Sequence, residues 1–176
     1  MAVKKTVSMD KFSYRGISKW IRPKFGEWHR FSELWSRGQV PKKDGPGIYV
    51  IAKFADSDPR TSPNADLSKN IVYIGKSSYQ MSNRLGSWYL SAFKYKKDDS
   101  IGGGVYRRLG YATDENLYVA IWPIQKKPGE DPISFGLRIM EAEYALIMKY
   151  LMKYEEFPIC NCDLRKPVYH KGKWNI

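Results

Sequence analysis

The sequence predicts a small α+β domain, a three-stranded antiparallel sheet flanked by helices, with a basic, helical N-terminal extension. Three observations predict it. Three short runs rich in β-branched and aromatic residues, at 47–54, 71–75 and 116–124, have the composition of half-buried or buried strands. A much longer stretch, 133–154, carries Ile139, Met140, Ala142, Leu146, Ile147, Tyr150 and Leu151, a broad apolar stripe at helical spacing. The order in which strands and helices follow one another suits a sheet with helices packed against it.

Taken in order, Trp28, Phe31, Leu34 and Trp35 fall at i, i+3, i+6 and i+7 and predict a helix over 27–36. The Gly- and Pro-containing segment 38–47 reads as a loop. The strand "IYVIAKF" follows, then a polar loop over 56–70 with two prolines, then "IVYIG". The two strands are expected to pair antiparallel across that loop. A helix is expected over 81–93. "SIGGG" reads as a break at 100–104, with a short helix over 105–111 after it. The third strand ends at Pro123, and "KKPGEDP" leads to the long helix. The tail after it reads as irregular and basic. The expected division is a basic extension at 1–44, a domain at 45–161 and a basic tail at 162–176.

Charge narrows the function. The 176 residues include 30 Lys or Arg against 18 Asp or Glu, a net charge of +12. Between Lys4 and Asp44 alone there are 11 basic and 4 acidic residues. Such an excess favours a polyanionic partner, because neutralising phosphates releases condensed counterions. Nucleic acid is one such partner, and the resemblance set out below implies double-stranded DNA. Aromatic residues interleaved with Lys94, Lys96 and Lys97, with Arg107 and Arg108, and with Lys166 suit phosphate contact and stacking. No apolar run approaches the 18 residues a membrane helix needs, so no membrane role is expected. Cys160 and Cys162 are one residue apart, a poor spacing for an ordinary disulfide, which points to a reducing cytoplasm. With only His29 and His170 besides, a zinc site is not expected.

Two tripeptides carry the chemistry. Gly47-Ile48-Tyr49 and Tyr73-Ile74-Gly75 each set a tyrosine beside a glycine on a predicted strand. If those strands pair, the two phenols share one sheet face. "GIY" followed by "YIG" on successive strands resembles the GIY-YIG nuclease superfamily, closest in style to its type II restriction endonuclease branch, where the connecting loop is often long. The resemblance runs over about residues 47–161. It implies a cytoplasmic, prokaryotic or phage-encoded, Mg²⁺-dependent DNA endonuclease, with one ion per active site and a possible homodimer to cut both strands.

The resemblance also implies roles. The family's arginine corresponds to Arg84, eleven residues after Tyr73, with Arg107 on the next helix as a rival. Many members carry His or Tyr four residues after that arginine. Here the position is Trp88, which neither accepts a proton nor binds metal. Tyr89 beside it, or Tyr111 counted from Arg107, could stand in. The metal-binding glutamate corresponds to Glu143, followed by Leu146-Ile147. Glu141 lies about 200° around the helix and cannot share its direction. Pro158 and Asn161 match a closing Pro-x-x-Asn, with Asn161 expected to orient a phosphate or the metal shell. In this scheme Tyr49 is the proton acceptor, Tyr73 bonds the water or a phosphate oxygen, and Lys76, directly after "YIG", lowers a phenol pKa. The competing readings are a catalytically weak or inactive nucleic-acid-binding protein on the same fold, and a nuclease acting on branched or damaged DNA.

Overall fold

The computed structural model describes residues 22–36, 45–54, 67–94, 100–111, 113, 115–161, 168–170 and 173–175. Lys96, Lys97, Cys162 and Lys166, the chain before residue 22 and most of the loop between the tripeptides lie outside the described residues.

The chain forms β1 (His29–Arg30), α1 (Phe31–Ser36), β2 (Gly47–Lys53), β3 (Ile71–Ser77), α2 (Met81–Phe93), α3 (Ile101–Arg108), β4 (Leu117–Pro123), α4 (Pro132–Tyr154), a 3₁₀ turn (Ile159–Asn161), β5 (Val168–His170) and β6 (Lys173–Asn175). The main sheet is antiparallel with order β1-β4-β2-β3. It therefore has four strands where the sequence suggested three. The fourth is β1, whose two residues pair with Tyr118 and Val119 of β4. The helix expected over 27–36 begins at Phe31 instead, because the residues before it pair with the sheet. Phe31 and Leu34 do point inward, and Phe25 is buried as well. Part of the expected N-terminal extension thus belongs to the core of the domain. The tail, expected to be irregular, contains a two-stranded antiparallel hairpin, β5-β6.

Two cores lie on opposite faces of the sheet. Because side chains alternate along a strand, β2 sends Ile48, Val50 and Ala52 to one face and Tyr49 and Ile51 to the other. The first face packs against Ile139, Ala142, Leu146 and Tyr150 of α4. The second packs against Leu85 and Trp88 of α2 and Val105 and Tyr106 of α3. β2 is buried on both sides, which accounts for its unbroken apolar run.

The glycine run did not break the chain. α3 starts at Ile101 and includes Gly102, Gly103 and Gly104, all buried. Ser100 caps it, its hydroxyl accepting from Gly103 N at 3.4 Å. A Cβ at Gly102 would run into the ring of Tyr73, and one at Gly103 into the main chain at Trp88. Helix propensity is poor here, and close packing overrides it.

Candidate active site

The register of β2 on β3 sets Tyr49 opposite Gly75 and Ile51 opposite Tyr73. The tyrosines are therefore diagonal neighbours on one face rather than a direct pair, with ring centroids 5.9 Å apart. Gly75 is the space between them. A Cβ there would come within 2.6 Å of Tyr73 Cε1 and 2.7 Å of the Tyr49 Cζ and hydroxyl. The glycine of the second tripeptide is thus a steric requirement of the first tripeptide's phenol.

Tyr49 is 1% exposed, whereas Tyr73 keeps partial access to solvent. The two phenols hydrogen-bond to each other. Burial raises both pKa values, that of Tyr49 well above the usual tyrosine value. The mutual bond raises Tyr49 further and lowers Tyr73, so Tyr73 is the phenol better able to ionise. Of the two phenols, Tyr73 is also the one in reach of solvent. The cation acting on both phenols is Arg84, which lowers each. Lys76, expected in that part, acts instead on Glu143.

Glu143 lies on α4, across the sheet from the tyrosines. It meets them at β3, the free edge of the sheet. Its carboxylate accepts from the Lys76 backbone N–H, and its charge raises the pKa of both phenols. Burial raises the pKa of Glu143 itself, opposed by the charges of Lys76 and Arg84 and by that backbone bond. Glu141 is exposed, as the helical angle required. The edge explains the assembly. Only there can a side chain from the α4 face come close to phenols on the α2–α3 face.

Asn161 is at the same edge, but its amide is engaged at both ends. Its Oδ1 accepts from Ile74 N at 2.8 Å and its Nδ2 donates to Ile74 O at 2.7 Å. It behaves as a missing strand partner for β3. Asn161 and Glu143 together satisfy edge groups of β3 that would otherwise be open to pairing.

An open cleft of 480 Å³ lies at this edge, lined by Lys76, Ser77, Ser78, Tyr79, Gln80, Asn83, Arg84 and Glu143. Arg84 is exposed and makes no hydrogen bond or ion pair among the described residues. Arg107 does: its Nη1 donates to Ser91 O at 2.8 Å, tying α3 to α2. The geometry thus sets Arg84 in the cleft and gives its rival a structural bond elsewhere. Tyr89 stacks on Phe31 at 6.0 Å, and Tyr111 lies on Tyr106 at 4.7 Å with Lys53 Nζ 5.2 Å from its ring centre. Neither lines the cleft, and neither do Tyr49 and Tyr73, which lie beside it and feel the charges of Arg84 and Glu143. Trp88 is fully buried between Phe31, Tyr73, Phe93 and Tyr106, and its indole N–H has no hydrogen-bond partner among the described residues. Of the expected DNA contacts, Lys94 and Arg108 are exposed at the C-terminal ends of α2 and α3.

Among the described residues no three His, Cys, Asp or Glu side chains gather to share a metal ion. Glu143 is the one acidic side chain lining the cleft. A single half-buried carboxylate beside open space fits Mg²⁺, which keeps most of its water and takes phosphate oxygens as further ligands. The sequence did not single out the turn Ser78–Gln80, whose polar residues read as ordinary loop. Comparison of the chain with family models, with curated proteins and with solved structures finds no match.

Proposed function

We propose that the chain is a Mg²⁺-dependent DNA endonuclease of the site-specific restriction type, hydrolysing phosphodiester bonds. The single observation that supports it best is the meeting of Lys76, Arg84 and Glu143, from three separate elements, in one open cleft at the sheet edge, with Tyr73 within reach of the charges of Arg84 and Glu143. A fold needs no such convergence for its stability. Burial raises the pKa of the Glu143 carboxyl, a cost to its ionised form that function would explain.

In this reading Glu143 holds the ion, which when bound polarises the scissile phosphate and stabilises the departing oxygen. Arg84 forks onto the same phosphate and neutralises charge as it develops. Tyr73, the phenol with partial access to solvent, first releases its own proton to solvent and, as phenolate, orients the attacking water and takes its proton. Tyr49, buried behind it, donates a hydrogen bond that steadies the ionised oxygen. Lys76 keeps Glu143 ionised. Cutting both strands requires two such sites, supplied by a homodimer in the cytoplasm of a prokaryotic or phage-infected cell.

The test is supercoiled plasmid and linear phage DNA incubated with the purified protein and Mg²⁺. Discrete, reproducible fragments are expected. Glu143→Ala should bind DNA and leave it intact, and Arg84→Ala should cut on the order of 10²–10³ times more slowly, the effect of losing one donor to transition-state charge. Arg107→Ala should keep its cleavage rate while losing stability. Full activity in Glu143→Ala would refute the metal assignment. A second reading, a binding protein without cleavage, has one observation in its favour: Trp88, sealed in the core, stands where the resembling family carries a proton-transferring side chain. It predicts tight DNA binding with no nicking at any Mg²⁺ concentration. Nicking confined to junctions or lesions would assign the third reading, a structure-specific nuclease.

A further inference from the structure

Tyr79 is the most exposed large apolar side chain among the described residues, at 83%. It makes no ring contact and no side-chain hydrogen bond among them. A phenol ring left in water is unfavourable, and nothing in the domain's packing uses this one.

Its position is nonetheless fixed. Tyr79 lies in the turn between β3 and α2. Ser77, 3% exposed, pins that turn from beneath: its hydroxyl donates to Gln80 O at 2.9 Å and accepts from Tyr79 N at 3.3 Å. Asn83 Nδ2 donates to Gln80 Oε1 at 3.0 Å and braces the far side. The ring is therefore carried on a backbone held before any ligand arrives, so little ordering is left to do on binding.

The surroundings are cationic. Tyr79 lines the same cleft as Lys76 and Arg84, two cations against the one carboxylate of Glu143. The first turn of α2 behind it has no acidic residue and no side-chain cap, so its backbone N–H groups add to the positive field. A ligand for this corner must be anionic at one end and flat and apolar at the other. A nucleotide is both. The bases of an intact duplex have their faces covered by their neighbours, so a ring that offers a face requires an unstacked base.

We propose that Tyr79 is a stacking platform for a nucleobase drawn out of the helix stack, next to the phosphate held at Arg84. The inference rests on the nuclease reading and deepens it: the cleft takes a locally opened strand. The hydroxyl is incidental, and the ring face is what binds.

The test is a cycle of protein and DNA variants read by binding affinity, with Ca²⁺ replacing Mg²⁺ to hold off cleavage. The probes are a single-stranded dT 12-mer and a 12-mer of abasic sites with the same phosphates. Tyr79→Ala should weaken binding of the dT 12-mer between about 5-fold and about 100-fold. It should leave the abasic 12-mer bound as before. Tyr79→Phe and Tyr79→Trp should retain wild-type affinity for both. Equal weakening on both probes, or none on either, overturns the platform. If Tyr79→Ala has no effect while plasmid is still cut, only the platform falls. If the protein binds neither probe and cuts no plasmid, the nuclease reading falls and the platform with it. A base-dependent effect of Tyr79 in a protein that never cuts would keep the platform and refute cleavage.

Discussion

Gly75 is the residue on which the geometry turns, because one added methyl group would strike both phenols. Gly75→Ala should destabilise the protein by about 1–3 kcal/mol through overpacking, a fall in melting temperature on the order of 2–4 °C for each kcal/mol. Cleavage should fall far more than stability, measured as fragment yield on protein that is still folded by circular dichroism. Glu143 gives a second prediction, with a sign. Its pKa is raised in the folded state, chiefly by burial, so the folded protein holds a proton that the unfolded chain releases. Stability from this group is present below the unfolded carboxylate pKa and is lost as pH rises through the folded one. Glu143→Gln should therefore raise the melting temperature at neutral pH, and the gain should vanish in acid. Mg²⁺ should stabilise the wild type and not the variant. Lys76 opposes the burial effect, so Lys76→Met should move the acid limb of the cleavage rate to higher pH. An acid limb that does not move would show that Lys76 does not govern Glu143.

Among the elements, the glycines of α3 and α4 behave oppositely for a packing reason. Nothing lies within 4 Å of a Cβ built at Gly136 of α4, so Gly136→Ala should stabilise by up to about 1 kcal/mol through helix propensity alone. The same change at Gly103 of α3 would press on the Trp88 main chain and should destabilise, although propensity predicts the same gain. Thermal melts of the two variants check both signs. This contrast marks what the sequence could tell. β2, β3 and β4 were legible from their β-branched and aromatic runs and α4 from its apolar stripe at helical spacing, and the core satisfies them. α3 was misread because three glycines carry a local break signal, and only the ring of Tyr73 and the backbone of α2 explain them. β1 was missed because two residues, His29 and Arg30, are too short and polar to show a period. In the site, the tyrosines, Arg84 and Glu143 could be picked out by motif. The commitment of Asn161 to Ile74, and the replacement of Lys76 by Arg84 as the cation acting on the phenols, depend on which atoms meet at a sheet edge, and spacing does not encode that.

The net charge of +12 acts on the molecule as a whole, and it separates attraction from recognition. If the cations meet phosphates, the logarithm of affinity should fall linearly with the logarithm of salt, with a slope of about −0.9 for each phosphate neutralised. Arg84 and Lys94 stand at opposite ends of α2, ten residues or roughly 15 Å apart along the helix. A duplex laid along that helix would meet both. Arg84→Ala and Lys94→Ala should each lower the magnitude of the salt slope by about 1. Their other effects should differ. Lys94→Ala should weaken all sequences alike and leave the rate of bound cleavage unchanged, since it is distant from Glu143 and from the phenols. Arg84→Ala should lower that rate as well, because its charge acts on Tyr49, Tyr73 and Glu143 together. Binding titrations between about 50 and 200 mM salt, set beside single-turnover cleavage, separate the two. A salt slope unchanged by either variant would mean that the duplex does not follow α2, and that another basic surface of the chain carries the attraction.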